Sequence, residues 1–392
     1  MKKVLLLYAS HDNLGLIWAL KKLNYYIIVT GYTHGLIGEK HVDKYIPADY
    51  SDKELILKIA RDEKIDRICA NCNDHGAITA AYVAEILNLP GYDSYETIMT
   101  LHNKGMFKQF AMQHDILTPK ADYFTKSSEA KIQLKNYTYP LIIKPVDCSG
   151  GVGVCRANNI TEATKAVDVA FEKSRMGTII IERFFEGTQH GFCTFLINQK
   201  VVAISSNNEY AFENLYRVEI DTFPADNYNE VKDILISQIE KMAGILSLKD
   251  GIFHLQYIMS NNTPYIIEVM RRTVGNMYWL LADRLNCFDW SYWEARARLG
   301  LSCEHFPVHT EQEGYYAYKT LYAKYNGSFL SVNVPAEYEK HIFHSIILKD
   351  KGYNITNYKT DLIGILFFAF SSKDEMMNVL IENYNGNLVE TE

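Results

Sequence analysis

One stretch of the chain joins a buried-strand pattern to a charge and a glycine-rich loop. Leu141-Ile142-Ile143-Lys144-Pro145 reads as a short apolar strand ending in a lysine, and Val146-Asp147-Cys148-Ser149-Gly150-Gly151-Val152-Gly153-Val154 follows it. A glycine turn places no Cβ between backbone N–H groups and a ligand, so phosphate oxygens can come close, and a lysine adds a point charge on them. That suits triphosphate binding. The spacing is neither G-x-x-x-x-G-K-[ST] nor G-x-G-x-x-G, which speaks against a P-loop or a dinucleotide fingerprint. Read alone, the loop fits an ordinary glycine-rich hairpin about equally well. Lys144 is harder to explain that way, because a lysine rarely lies in buried surroundings unpaired.

Other reactive side chains are grouped further on. Tyr265-Ile266-Ile267-Glu268 ends an apolar run in a carboxylate, and Arg271-Arg272-Thr273-Val274-Gly275-Asn276 follows shortly after. Cys69-Ala70-Asn71-Cys72 has C-x-x-C spacing, but no second pair with ligand spacing accompanies it, and the segment reads as a strand end. Cys148 reads as a small residue in a turn.

The elements that must position these groups follow from apolar periodicity. Val4 to Tyr8 is a continuous apolar run, Leu16, Ile17, Leu20 and Leu23 recur at helical spacing, and Ile27 to Val29 is a second run. A helix over 54–65, a strand over 67–70 and a helix over 77–87, closed by Pro90-Gly91, continue the alternation. Residues 1–92 therefore read as a doubly wound α/β domain with a parallel sheet. Beyond Lys126 strand-like runs are joined by short polar turns such as Asn198-Gln199-Lys200, with helices near 162–173 and 228–246, an α+β pattern. The expected division is 1–92, then 93–300 with a lid subdomain at about 120–185, then a C-terminal α+β domain over 301–392.

Composition narrows the partners. The chain has 392 residues, 48% of them apolar, a formal charge of −7 and 22% charged residues, with no run of five lysines or arginines. This is enough chain for a real core and argues against nucleic acid. The apolar stretch at the N-terminus is too short for a signal peptide or a membrane span. Seven cysteines, an odd number, point to a reducing compartment, and the expected location is cytoplasmic.

With these motifs in order, the sequence resembles the ATP-grasp superfamily, in particular its carbamoyl-phosphate-synthetase-like and biotin-carboxylase-like carboxylate–amine ligases. The order is Lys104, Lys144, the loop at Gly150 to Gly153, the segment Glu182-Arg183-Phe184-Phe185-Glu186-Gly187, then Glu268 ahead of Arg272. The resemblance implies that Lys104, Lys144, Ser149, Gly150, Gly151 and Gly153 hold the ATP phosphates. It implies that Glu182 accepts from the adenine amino group, with the Arg183 carbonyl and Phe185 N–H completing the pairing. Where many members carry a glutamate for the ribose hydroxyls, this chain has Gln189 and then His190, either of which can hydrogen-bond a hydroxyl. Glu268 corresponds to the carboxylate that bridges Mg²⁺ ions.

The partner metal position, twelve residues earlier, is Gln256, and Met270 stands where an asparagine is usual. An amide carbonyl can coordinate but brings no charge, and a thioether matches magnesium poorly, so weaker or fewer metal sites are expected. Arg272 takes the position that faces the transferring phosphoryl group. Fixed cations of that kind are worth about 3 kcal/mol or more to a transition state. Arg271 reads as a surface ion pair or a carboxylate clamp, and Gly275-Asn276 as a turn toward substrate. The loops Tyr8 to Asn13 and Asn73-Asp74-His75-Gly76 follow strands, where open parallel sheets hold ligands, and so offer candidates for the second substrate.

The activity implied is phosphoryl transfer from ATP to a carboxylate, followed by attack of an amine on the acyl-phosphate. Phosphoryl transfer rests on positioning and electrostatics, which agrees with the lack of a Ser-His-Asp pattern. A kinase-like or carboxylating ATP-grasp enzyme, or a nucleotide-binding module without catalysis, stays open beside it. The partners implied are a small carboxylate and an amine, without nucleic acid or membrane, and a homodimer is common among the proteins resembled.

Overall fold

The computed structural model describes the chain apart from residues 71, 149–150, 214–216, 310 and 385. Strands β1 (Lys2–Leu7), β2 (Tyr25–Gly31), β3 (Lys44–Pro47) and β4 (Arg67–Cys69) form a parallel sheet of order β3-β2-β1-β4. Helices α1 (Leu14–Lys22), α2 (Lys53–Glu63) and α3 (Asp74–Ile86) link them. The run Val4 to Leu7 is apolar throughout because both its faces are covered. Val4 and Leu6 pack with Leu16, Ile17 and Leu20, while Leu5 and Leu7 pack with Leu57, Ala80 and Ala84. Each such side chain contributes about 1.5–3 kcal/mol on full burial.

Helices α4 (Tyr95–His102) and α5 (Lys104–Gln113) come next, separated by Asn103, whose side chain caps α5 by accepting from the N–H groups of Gly105 and Met106. The cap fixes Lys104 as the first residue of the helix, and its own N–H bonds the carbonyl of Val146 at 3.2 Å. A small antiparallel sheet of order β5-β8-β6-β7 follows, from β5 (Ala121–Phe124), β6 (Leu141–Pro145), β7 (Cys155–Ala157) and β8 (Ile179–Arg183). Helices α6 (Ser127–Gln133) and α7 (Ile160–Lys173) cover one of its faces. Leu141, Ile143, Ile179 and Ile181 meet those helices. Alternation along a strand then sends Lys144 and Glu182 to the other face.

The largest sheet is built from β9 (Thr188–Ile197), β10 (Lys200–Tyr210), β11 (Ile220–Phe223), β12 (Gly251–Ser260), β13 (Thr263–Met270) and β14 (Tyr315–Leu321). The C-terminal residues add β15 (Gly327–Val332), β16 (Ile342–Ile347), β17 (Asn354–Ile355), β18 (Gly364–Phe370) and β19 (Val389–Thr391). The antiparallel order is β13-β12-β9-β10-β11-β14-β18-β16, with β17-β15-β19 as a satellite. Asn198 and Gln199, at φ 49° and 66°, make the left-handed two-residue turn that matches strand twist between β9 and β10.

Helix α8 (Tyr228–Leu246) packs on one face through Val231, Leu235 and Ile239, against Phe192, Phe253 and Leu255. Helices α9 (Trp279–Asn286) and α10 (Trp290–Arg298) cover part of the other, where Leu281, Leu285 and Trp290 meet Phe195. Residue 300 does not divide this sheet as the sequence pattern suggested. β14, β16 and β18 extend the same ladder, because β11 and β14 pair directly. No helix among the described residues is long and apolar enough to cross a membrane.

Candidate active site

A cavity of about 380 Å³ is lined by residues that follow β6, by β9 to β13, and by the turn after β13. It is not the largest hollow. One of about 700 Å³ lies near Lys319 and Tyr384, and one of about 610 Å³ faces the Tyr8 to Asn13 loop. The smaller cavity is singled out by its chemistry, since Lys104, Lys144, Gln189, Gln256, Glu268, Arg272, Gly275, Asn276 and Asp74 all line it.

At one end the Lys104 ammonium sits 2.6 Å from Oε1 of Glu268 and donates to the Cys148 carbonyl at 2.9 Å. Burial alone would favour neutral Lys104, but the Glu268 carboxylate outweighs it and raises its pKa. Arg272 is held in the same region by Nε donation to Oδ1 of Asp74 at 2.7 Å. His102 Nδ1 lies 3.0 Å from that same oxygen, while its Nε2 accepts the Arg271 backbone N–H at 3.0 Å. An acceptor Nε2 leaves the hydrogen on Nδ1, so His102 donates to Asp74 and locks the arginine clamp. Burial works against ionised Asp74, yet Arg272 and His102 hold its carboxyl well below the usual range. Met270 is turned to Arg272 too, its sulfur accepting from Nη2 at 3.1 Å.

On the small sheet, Lys144 and Lys108 grip the two carboxylate oxygens of Glu182, the Lys108 contact at 3.0 Å. Burial lowers Lys108 to about 8 despite that partner. The loop beyond Lys144 turns through Gly151 and Gly153, both at φ 75°. A Cβ on Gly153 would come 2.8 Å from Pro145 Cγ, so a glycine is required there.

The floor is a row of polar side chains across four strands. Gln189 on β9 stands opposite Glu209 on β10, Glu209 opposite Asp221 on β11, and Asp221 opposite Tyr318 on β14. Gln256 on β12 stands opposite Glu268 on β13. Glu209 accepts from the amides of Gln189 at 2.6 Å and Gln256 at 2.9 and 2.8 Å. With its amide nitrogen tied to Glu209, Gln256 turns its carbonyl oxygen the opposite way. Beside the row, Asn276 and Met277 adopt left-handed φ values of 55° and 52°. The Met277 N–H bonds Asp12 at 3.0 Å and the Asn276 amide donates to the Tyr318 hydroxyl at 3.1 Å. Left-handed non-glycine residues of this kind cluster at functional turns.

A family model for the "Phosphoribosylglycinamide synthetase, ATP-grasp (A) domain" matches residues 102–214, the stretch holding Lys104, Lys144 and Glu182. Among solved structures, the L-amino acid ligase from Bacillus licheniformis superposes with a TM-score of 0.84 at 17% identity, covering 100% of this chain and 99% of that one. The fold is ATP-grasp. The biotin carboxylase domain of the Hydrogenobacter thermophilus 2-oxoglutarate carboxylase, solved with MgADP, ADP and bicarbonate, aligns with a TM-score of 0.79 and 19% identity. That alignment covers 100% of this chain and 91% of the carboxylase domain. In sequence, the large chain of carbamoyl phosphate synthase from Thermoanaerobacter sp. (strain X514) is 24% identical over 189 residues, which is 46% of this chain but 17% of the synthase.

Some expected site residues lie elsewhere in the fold. Arg271 does not reach the cavity. Its side chain is fully buried, with Nε 2.9 Å from Asp93 and its terminal nitrogens donating to the carbonyls of Ile252 at 2.5 Å and Lys249 at 2.8 Å. A guanidinium so saturated ties 93 to 249–252 and is not a substrate clamp. His190 points to the α8 side of β9, where it stacks on Tyr257 at 5.0 Å, because alternation places it opposite Gln189. Glu182, Arg183 and Phe185 are not part of the cavity lining. Glu182 is engaged by the two lysines, and Phe185 stacks on Tyr265 at 4.3 Å. Ser149 and Gly150 lie outside the described residues. The sequence reading missed Lys108, Glu209, Asp221 and His254, the last three of which line the cavity.

Proposed function

We propose that the chain is an ATP-dependent carboxylate–amine ligase, forming an amide through an acyl-phosphate and releasing ADP and phosphate. The observation that carries this reading is the convergence of Lys104, Lys144 and Arg272 with Glu268 and Gln256 in one cavity of an ATP-grasp fold. Lys104, Lys144 and the glycine loop hold the phosphates, the lysines as point charges and the loop through its N–H groups. Gln189, which lines the cavity, takes the nucleoside, and the Glu182 to Phe185 segment, outside the lining as it stands, would border the adenine once Lys144 turns to phosphate.

The oxygen donors fit Mg²⁺. A carboxylate and an amide carbonyl on directly opposed residues of β12 and β13 supply two hard ligands, and phosphates and water normally complete such a site. When bound, the ion neutralises phosphate charge. Arg272, aimed by Asp74 and His102, faces the charge that develops on the transferring phosphoryl group. The likeness to an L-amino acid ligase over the full chain favours amide formation, whereas the bicarbonate-bound carboxylase neighbour supports a carboxylating enzyme as the second reading. Residues 1–92 would then close the substrate side and the lid at about 120–185 the nucleotide side. A cytoplasmic location and a homodimer complete the proposal.

The test is calorimetric ATP binding with and without Mg²⁺ on wild type, Lys144→Ala and Glu268→Gln, with ADP release assayed on pooled carboxylates and amines. Mg²⁺-dependent binding that fails in Lys144→Ala, with ADP appearing only when both substrates are present, is the expected result. ADP release with bicarbonate alone would transfer support to the carboxylating reading. Absence of nucleotide binding in wild type would sink both.

A further inference from the structure

The ligase reading leaves the amine without a site, and the row across the sheet supplies one. Glu209 and Asp221 are directly opposed, so their side chains emerge from the same face about 5 Å apart at Cβ. Both line the cavity; Asp221 is buried, at 3% exposure, and Glu209 is partly buried. The cations around them are engaged by other acids: Lys104 by Glu268, Lys144 by Glu182, Arg272 by Asp74 and Arg217 by Glu219. Glu209 receives neutral amide donors from Gln189 and Gln256. Asp221 is oriented by the Tyr318 hydroxyl and the Asn207 side chain, yet its Oδ1 is buried with no hydrogen-bond partner among the described residues. Burial, and then the charge of Glu209, pushes the Asp221 carboxyl up. Two facing acids, one of them buried, with no counter-cation of their own among the described residues are unfavourable until a cation enters between them.

We propose that Asp221, backed by Glu209, is the subsite for the amine of the second substrate, which arrives as a primary ammonium, gives one proton to the Asp221 carboxylate and then attacks as the free amine, rather than arriving as ammonia or a carboxamide. The proposal rests on the ligase reading. An ammonium offers several donors to one side, which suits the free Oδ1 and the facing carboxylate. A divalent ion fits less well. Mg²⁺ demands near-octahedral oxygen coordination, and here Asp221 already accepts from Tyr318 and Glu209 from two amides. The location is also right. Asn276, four residues beyond Arg272, bonds the Tyr318 hydroxyl, so the subsite adjoins the turn that follows the arginine.

The test compares two nucleophiles on the full-length enzyme with Mg-ATP. Hydroxylamine is uncharged at neutral pH and reports acyl-phosphate formation as a hydroxamate, without calling on an ammonium site. The twenty protein amino acids and simple carboxylates are supplied singly as carboxylate, and the amino acids again as ammonium nucleophiles. In Asp221→Asn the ratio of amide to hydroxamate formation is expected to fall about 100-fold, the scale of a lost buried charge pair. Tyr318→Phe, which removes only the orienting hydroxyl, should lower the same ratio about tenfold and serves if Asp221→Asn does not fold. A ratio within threefold of wild type in the folded variants overturns the subsite while leaving the ligase intact. Wild type that forms no hydroxamate with any carboxylate removes the ligase reading, and the subsite falls with it.

Discussion

The side-chain amide of Gln256 reaches both carboxylate oxygens of Glu209, at 2.9 and 2.8 Å, and so serves as a fixed donor to a partly buried acid. Glu209 itself has its pKa raised by burial, an effect the amides of Gln256 and Gln189 reduce. Gln256 is thus matched to its neighbour Glu209, and its amide carbonyl is left facing away from it.

Gln256→Glu is expected to destabilise the protein at pH 7.5 by about 1–3 kcal/mol, because it removes a donor and sets two acids against each other. The deficit should shrink as pH falls and one acid takes a proton that the other can accept. Thermal melts of wild type and variant between pH 5 and 8 check this. Equal melting temperatures throughout would mean that Glu209 turns away from residue 256.

The adjacent arginines should separate in their effects. Arg271→Met leaves Asp93 buried without its partner, and a loss of about 3–5 kcal/mol in denaturant unfolding is expected. Arg272→Lys keeps a charge but loses the fixed fork that Asp74 and His102 aim. It should unfold near the wild-type midpoint, bind ATP, and release ADP about 10²–10³-fold more slowly. A stability loss confined to Arg272→Lys would reverse the assignment.

Much of the frame was legible because its signals are local. An apolar run ending in Lys144 and then glycines specifies a strand and a tight loop, and the alternation of apolar runs with helical spacing specifies the first sheet. The floor of the site was not. Ser205-Ser206-Asn207-Asn208 looks like a turn, yet β10 runs through it to Tyr210 because these polar side chains are bonded across the sheet. Ser206 bonds Gln312, and Asn208 bonds Thr222 and Asp226.

Lys108 is illegible for a related reason. It reads as a solvated helix lysine, and only the approach of α5 to Glu182 on β8 buries it. The same holds for the boundary at residue 300, since nothing in β14 announces that its partner is β11, far back in the chain.

Two buried histidines make the protein sensitive to mild acid. Burial lowers His190 to about 4, with Asn208 and Asp226 opposing it, and burial with the Arg272 charge lowers His254 to about 3. Both are neutral in the folded protein, while in the unfolded chain each titrates near 6.5. Below pH 6.5 the unfolded state therefore binds protons that the folded state does not, and unfolding free energy falls as pH falls, by up to about 1.4 kcal/mol per pH unit for each histidine, down to its folded value. His190→Gln should be less stable than wild type at pH 7.5, having lost the stack on Tyr257, but its melting temperature should decline less steeply between pH 6.5 and 4.5. Parallel declines in wild type and variant would show that His190 takes up its proton in the folded state as readily as in the unfolded one.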